Sequence, residues 1–314
     1  MFVLLIGLVG VGAMIPAGKF EILQGVKIDY ASMLGRAAFR DLKTRGYLNP
    51  NDPVNTSNWI APGPSNVWTG SSPNPFTNPL TNNPVPSVAV AIDPLGCGAG
   101  FTKTFPFGGA AATSLARIYT SQTATSPGRA PSAILADPIF RCSSDLNLLP
   151  GAGKDLPPLQ QMMGGGSKRS SVGNYSWLAT IVPDPNPAVL ATSTKMIVSV
   201  AVIYKRDLST AGAGESTATA TPNGGGEVTL SSFTASPIRP VRPGQWIMLA
   251  YTANGSNFRW FRVVAADVVT GTGATAQQYA TLAGADLPVG TAATAWIIDN
   301  VIAVYEKNMR LELP

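Results

Sequence analysis

The pattern of apolar and polar positions divides the chain into two unlike parts. Residues 2–18, FVLLIGLVGVGAMIPAG, carry no charge. In the stretch that follows, apolar residues recur at Leu23, Val26, Tyr30, Met33, Leu34, Ala37 and Leu42. Spacings of mostly three and four describe one stripe of an α-helix. Lys27, Asp29, Arg36, Arg40, Asp41, Lys43 and Arg45 fall largely off that stripe. The pattern predicts one long helix within residues 1–48, apolar all round in its first half and one-sided in its second. Pro16 predicts a kink or a local melt, because it removes a backbone hydrogen bond and crowds the carbonyl four residues back.

After the helix the chain reads as β structure separated by long loops. Residues 49–175 are rich in Pro, Gly, Asn and Ser, with a short strand expected at Val88–Ile92 and a short strand or helix turn at Thr113–Thr120. Residues 176–314 are cleaner, the first strand starting just before them. Strands are expected at Tyr175–Val182, Lys195–Arg206, Glu227–Phe233, Gln245–Thr252, Asn257–Val268, Gln277–Leu282 and Ala295–Glu306. Lys195–Arg206, KMIVSVAVIYKR, is apolar on nearly both faces, as a central strand is. FRWFRVV, in the Asn257–Val268 strand, does not separate into two faces by period two. Asn254-Gly255 between WIMLAYT and FRWFRVV is a strong hairpin signal. Residues 208–226, LSTAGAGESTATATPNGGG, read as an exposed loop or hairpin tip. The expected class is α+β: a long N-terminal helix followed by a β-rich head, whether antiparallel sheet, sandwich or small barrel.

The first segment bears on location. Its uncharged run sits at the lower edge of the ~17–25 residues that cross a bilayer. Lys19, Lys27, Arg36, Arg40, Lys43 and Arg45 follow it, and no basic residue precedes it. Taken alone, the positive-inside rule would put the C-terminal side in the cytoplasm.

FVLLIGLVGVGAMIP, followed by the charged amphipathic run to Arg45, resembles the N-terminal helix of the type IV pilins and of the pseudopilins of type II secretion. Members of that family begin with a basic leader and a processing site, then a hydrophobic helix that becomes amphipathic and joins a β-rich head. Pro16 matches the proline that interrupts the family's helix. The leader, the processing site and the glutamate near the start of the mature helix have no counterpart in this sequence, and counting back from Pro16 puts the processed start a few residues before Met1. The resemblance implies a single-pass inner-membrane protein with an extracytoplasmic head. It implies a structural subunit of a filament or secretion apparatus, with membrane lipid and other pilin-like subunits, identical or different, as partners. The helix surface that would move between them is Phe2, Leu4, Leu5, Ile6, Leu8, Val9, Val11, Met14, Ile15 and Pro16.

Composition adds three constraints. Charged residues are 12% of the chain while hydrophobic residues are 45%, which allows a core with a weakly charged surface. The formal charge of +5 comes without a stripe of basic and aromatic residues, so nucleic acid is not an expected partner. Cys97 and Cys142 are the two cysteines. In an oxidising compartment they would pair, closing a loop of about 45 residues worth ~3–4 kcal/mol; otherwise they are small hydrophobes.

Candidate chemistry is sparse. The chain contains no histidine, which excludes Ser-His-Asp, Cys-His and imidazole–metal sites. PGAGKDL and GGGSKRS lack the spacing or context of a phosphate loop. Asp137, Asp145, Asp184 and Asp267 lie beside prolines or strand ends, where aspartate serves turns. The expectation is a non-enzyme with no cofactor or metal. Two other readings remain: a membrane-anchored binding module for carbohydrate or protein, using Trp59, Trp68, Trp246 or Trp260, and a hydrolase working through carboxylates alone.

Overall fold

The computed structural model describes residues 2–44, 48, 59–60, 89–93, 95, 104–105, 115–120, 140–142, 147–148, 171–172, 174–183, 195–207, 214–234, 238–251, 257–284, 289–290 and 293–310, with side chains in the helix at Pro16 and from residue 18 onward. The helix α1 runs from Phe2 to Thr44. It passes through Pro16 unbroken, so the expected local melt does not occur. One missing N–H is a small loss among the bonds that hold a helix of this length.

Among the described residues fifteen strands follow: β1 Trp59–Ile60, β2 Val90–Ile92, β3 Thr104–Phe105, β4 Leu115–Thr120, β5 Asn147–Leu148, β6 Ser171–Val172, β7 Tyr175–Pro183, β8 Lys195–Tyr204, β9 Glu215–Gly224, β10 Glu227–Ser231, β11 Trp246–Tyr251, β12 Asn257–Ala266, β13 Gln277–Leu282, β14 Ala293–Ile298 and β15 Val301–Arg310. One sheet has the order β1-β4-β2-β7-β8-β15, with β3 also paired to β4. Its pairs are antiparallel except β2 with β4. Strands from both sides of residue 175 therefore share this sheet. Strands β9 to β14 close a six-stranded antiparallel barrel in the order β10-β13-β12-β11-β14-β9. The short pair β5–β6 stands apart from both.

The layers are helix, sheet and barrel. On β8, Met196, Val198, Val200 and Val202 pack under α1, while Ala201 and Ile203 on the other face pack against the barrel. This two-sided burial is why KMIVSVAVIY is apolar on both faces. The same holds on β12. Phe258 and Trp260 meet the sheet, whereas Phe261 and Val263 fill the barrel lumen. FRWFRVV does alternate by period two: Phe258 and Trp260 are buried on one face and Phe261 and Val263 on the other, while Arg262 and Val264 are exposed. Trp260 Nε1 donates to Thr180 Oγ1 at 3.1 Å across this seam, so its one polar atom is satisfied.

Two sequence expectations are corrected. Glu215–Gly224 is a barrel strand, not an exposed loop, with Ala218 and Ala220 pointing into the lumen. A six-stranded barrel is narrow, so alanine is enough to fill its share of the interior. The turn Gly225-Gly226, both at positive φ, then leads into β10. The predicted strand Ala295–Glu306 is two strands. Asn300 takes φ 61°, a left-handed position asparagine tolerates better than most residues, and breaks the run. The break carries the chain out of the barrel and into the sheet.

The approach to β11 is held by one side chain. Gln278, buried on β13, accepts from the Val241 N–H at 2.9 Å and donates to the carbonyls of Val241 and Asp267 at 2.8 and 2.9 Å.

Candidate functional site: the projecting helix and its seat

The helix α1 is seated over one half and bare over the other. From Tyr30 to Leu42 one face lies on β7, β8 and β15, with Ala31, Leu34, Ala38 and Leu42 buried. The face is lined with small residues and the sheet supplies the bulk: Tyr175 and Trp177 from β7, Tyr305 and Met309 from β15. Gly35 is the closest approach. A Cβ there would lie 2.7 Å from Tyr305 Cε2 and nearer still to Cδ2. Full burial of the two leucines alone contributes roughly 3–6 kcal/mol toward holding the helix down.

The seat ends at an aromatic and basic cluster. Tyr30 stacks on Tyr175 with ring centroids 5.2 Å apart and planes 17° apart, and Tyr175 packs on Tyr204 at 5.1 Å. Lys27 Nζ lies 4.6 Å from the Tyr204 ring centroid and Lys205 Nζ 5.5 Å from it. These cation–π contacts fix the helix where it leaves the head.

Beyond that cluster the helix has no cover among the described residues. Lys19 through Val26 are all exposed. Phe20 is 63% exposed, Ile22 69%, Leu23 50% and Ile28 62%. At 100° per residue these side chains point in several directions around the axis, so they form a girdle, not a stripe, with Lys19, Glu21 and Gln24 exposed between them. The stripe expected from Leu23 to Leu42 is met at Tyr30, Leu34 and Leu42 and corrected elsewhere: Leu23, Val26 and Met33 are exposed, and Ala31, Gly35 and Ala38 complete the seated face.

The other predicted site residues divide as follows. Phe2, Leu4, Leu5, Ile6, Leu8, Val9, Val11, Met14 and Ile15 lie on the helical backbone, with side chains outside those described, and Pro16 is exposed. Among the described residues, no helix is long and apolar enough to cross a membrane. Cys142 is buried beside Phe140 under α1, and its N–H donates to the Tyr175 carbonyl at 3.0 Å. Cys97 lies outside the described residues, and so does the expected disulfide. Of the four tryptophans considered for sugar stacking, Trp260 is buried in the sheet–barrel seam and Trp246 is partly buried against it. Neither forms an open platform. The Trp59 side chain and Trp68 lie outside the described residues.

Among the described residues the remaining groups form no catalytic arrangement. Asp137, Asp145, Asp184 and both glycine–lysine strings lie outside the described residues. Asp267 is exposed and shares a hollow of about 270 Å³ with Glu227 and Tyr279, a grouping invisible in the sequence. Among the described residues, no group of three or more His, Cys, Asp or Glu side chains could hold a metal ion. A dense charge cluster is sealed inside. Asp93, Arg117, Arg206 and Glu215 have side chains at most 4% exposed and ion-pair with one another. Burial opposes the charge on Arg206, but Asp93 and Glu215 outweigh it and its pKa is raised above the ordinary arginine value. The two carboxylates thus hold the Arg206 guanidinium in its charged form.

No family model, no curated protein and no solved structure matches the chain.

Proposed function

We propose that this protein is a pilin-like structural subunit of a membrane-anchored filament or secretion apparatus. Its N-terminal helix is held in lipid before assembly and against the helices of sister subunits afterwards. The observation that carries the reading is the apolar girdle from Phe20 to Ile28, which stands clear of a head that has firmly seated the next part of the same helix. Four large apolar side chains, half exposed or more over so short a stretch, cost free energy in water, at roughly 25 cal/mol per Å². They are stabilised when that surface passes into lipid or into a bundle of like helices. The uncharged residues 2–18 extend the same surface away from the head. Such a role needs no catalytic group and no cofactor, and it places the head on the extracytoplasmic side.

Vesicle flotation of the full chain tests this reading. The account expects the protein to float with phospholipid vesicles, to resist alkaline carbonate, and to lose both properties when Ile6, Leu8 and Val9 are all replaced by aspartate. Full-length protein that stays in the aqueous fraction as a monomer, with Phe20 and Ile22 protected from labelling, would contradict it.

A further inference from the structure

Three residues of the sheet and one of the barrel meet in a buried ring of alternating charge. Arg117 lies on β4, Asp93 just after β2, Arg206 just after β8, and Glu215 opens β9. Arg117 Nη2 donates to both Glu215 carboxylate oxygens at 2.8 and 2.7 Å. Arg206 grips Asp93 through two parallel bonds of 2.6 and 2.7 Å and reaches Glu215 Oε1 at 3.1 Å. Arg117 Nη1 lies 3.6 Å from Asp93 Oδ2, and the Arg117 guanidinium sits over the Phe105 ring at 5.2 Å.

We infer that Arg117 and Arg206 form a carboxylate socket on the sheet, and that Glu215 is the key by which the barrel docks into it and by which β9 finds its register. Within the ring, the sheet alone presents two guanidiniums against the single carboxylate of Asp93. Glu215 brings the second carboxylate and pairs with both arginines, and removing one partner from such a buried cluster is strongly unfavourable. The apolar seam around it (Phe258, Trp260 and Trp296 against Leu178 and Ile203) is not directional and cannot fix a register by itself. The charge ring can. A two-residue slip of β9 keeps the same face inward but moves the carboxylate by about 7 Å. Glu215 also sits where the barrel closes: it is opposite Ile298 on β14, and the next backbone bond, Asp299 N–H to the Gly214 carbonyl, is 2.9 Å long. Closure of the barrel and docking onto the sheet thus share one residue. This inference does not depend on the filament reading.

The test is chemical rescue in the full chain. Glu215→Ala leaves a carboxylate-sized gap facing two arginines. It is expected to lower the apparent Tm by roughly 5–10 °C and to red-shift tryptophan emission, because Trp260 and Trp296 lie in the seam that loosens. Sodium formate should restore both, since its carboxylate can accept the same charge-assisted bonds, and sodium chloride at equal ionic strength should not. Should Glu215→Ala fail to fold, Glu215→Gln keeps the shape without the charge and is expected to show the same fall in Tm with no response to formate. Wild-type Tm and emission in either variant would overturn the socket, as would equal responses of the Ala variant to formate and chloride.

Discussion

Gly35 of the helix lies flat against the ring of Tyr305 on the last strand, with no room for a methyl group between them. The contact joins residues near the two ends of the chain and sets how closely the helix approaches the sheet. Gly35→Ala is therefore expected to destabilise the head by about 1–3 kcal/mol, the usual range for overpacking, despite alanine's better helix propensity. Tyr305→Ala should relieve most of that strain. A double-mutant cycle by denaturant unfolding checks this: strong non-additivity is expected, and simple addition of the two effects would count against the contact.

The cluster at the helix exit makes a second, smaller claim. Tyr204→Leu removes the ring shared by Lys27 and Lys205. It should cost about 1–2 kcal/mol. Hydrogen exchange should show the effect concentrated at residues 27–34, not spread along the whole helix. Unchanged protection there would mean that the stacked tyrosines alone set the exit.

Gln278 offers a sharper case, because three backbone groups depend on it. Gln278→Leu fills a similar volume but leaves the buried Val241 N–H and carbonyl without their partner. A loss of about 2–4 kcal/mol is expected, with faster exchange at the Val241 amide. Little change in either would show that water replaces the side chain.

Trp260 and Thr180 join the barrel to the sheet through a single hydrogen bond. Thr180→Val removes the acceptor and leaves the indole N–H buried and unpaired. That should cost about 1–3 kcal/mol by denaturant unfolding, and Trp260→Phe in the same background should recover part of it. An undiminished stability in Thr180→Val would argue against a dry seam.

The sequence made some of this legible and hid the rest for physical reasons. The α+β class, the central strand at Lys195–Tyr204 and the antiparallel pairing of Trp246–Tyr251 with Asn257–Ala266 could be read directly, because apolar runs and the Asn-Gly signal between two of them encode them; Asn254 and Gly255 themselves lie outside the described residues. Strand β9 was hidden because Ala218 and Ala220 carry little hydrophobic signal; the narrow lumen makes them core residues. The seated face of the helix was legible at Leu34 and Leu42 but not at the positions around them, because hydrophobic size marks the wrong side there. The sheet already brings Tyr175, Trp177 and Tyr305, so the helix turns its small residues Ala31, Gly35 and Ala38 inward and leaves Met33 outside. The charge ring was invisible because its members are separated along the chain by up to 122 positions, from Asp93 to Glu215.

The girdle between Phe20 and Ile28 is the part of the account on which the proposed role depends. Its most direct test is cross-linking between copies in the membrane, using full-length protein with Leu23 changed to cysteine and Cys97 and Cys142 changed to serine. Oxidation should link two copies through residue 23, and the same oxidation with the cysteine moved to the head at Thr219 should not. Copies that remain unlinked at residue 23 under conditions where that cysteine is freely modified would contradict the proposal that this helix is built to pack against its own kind.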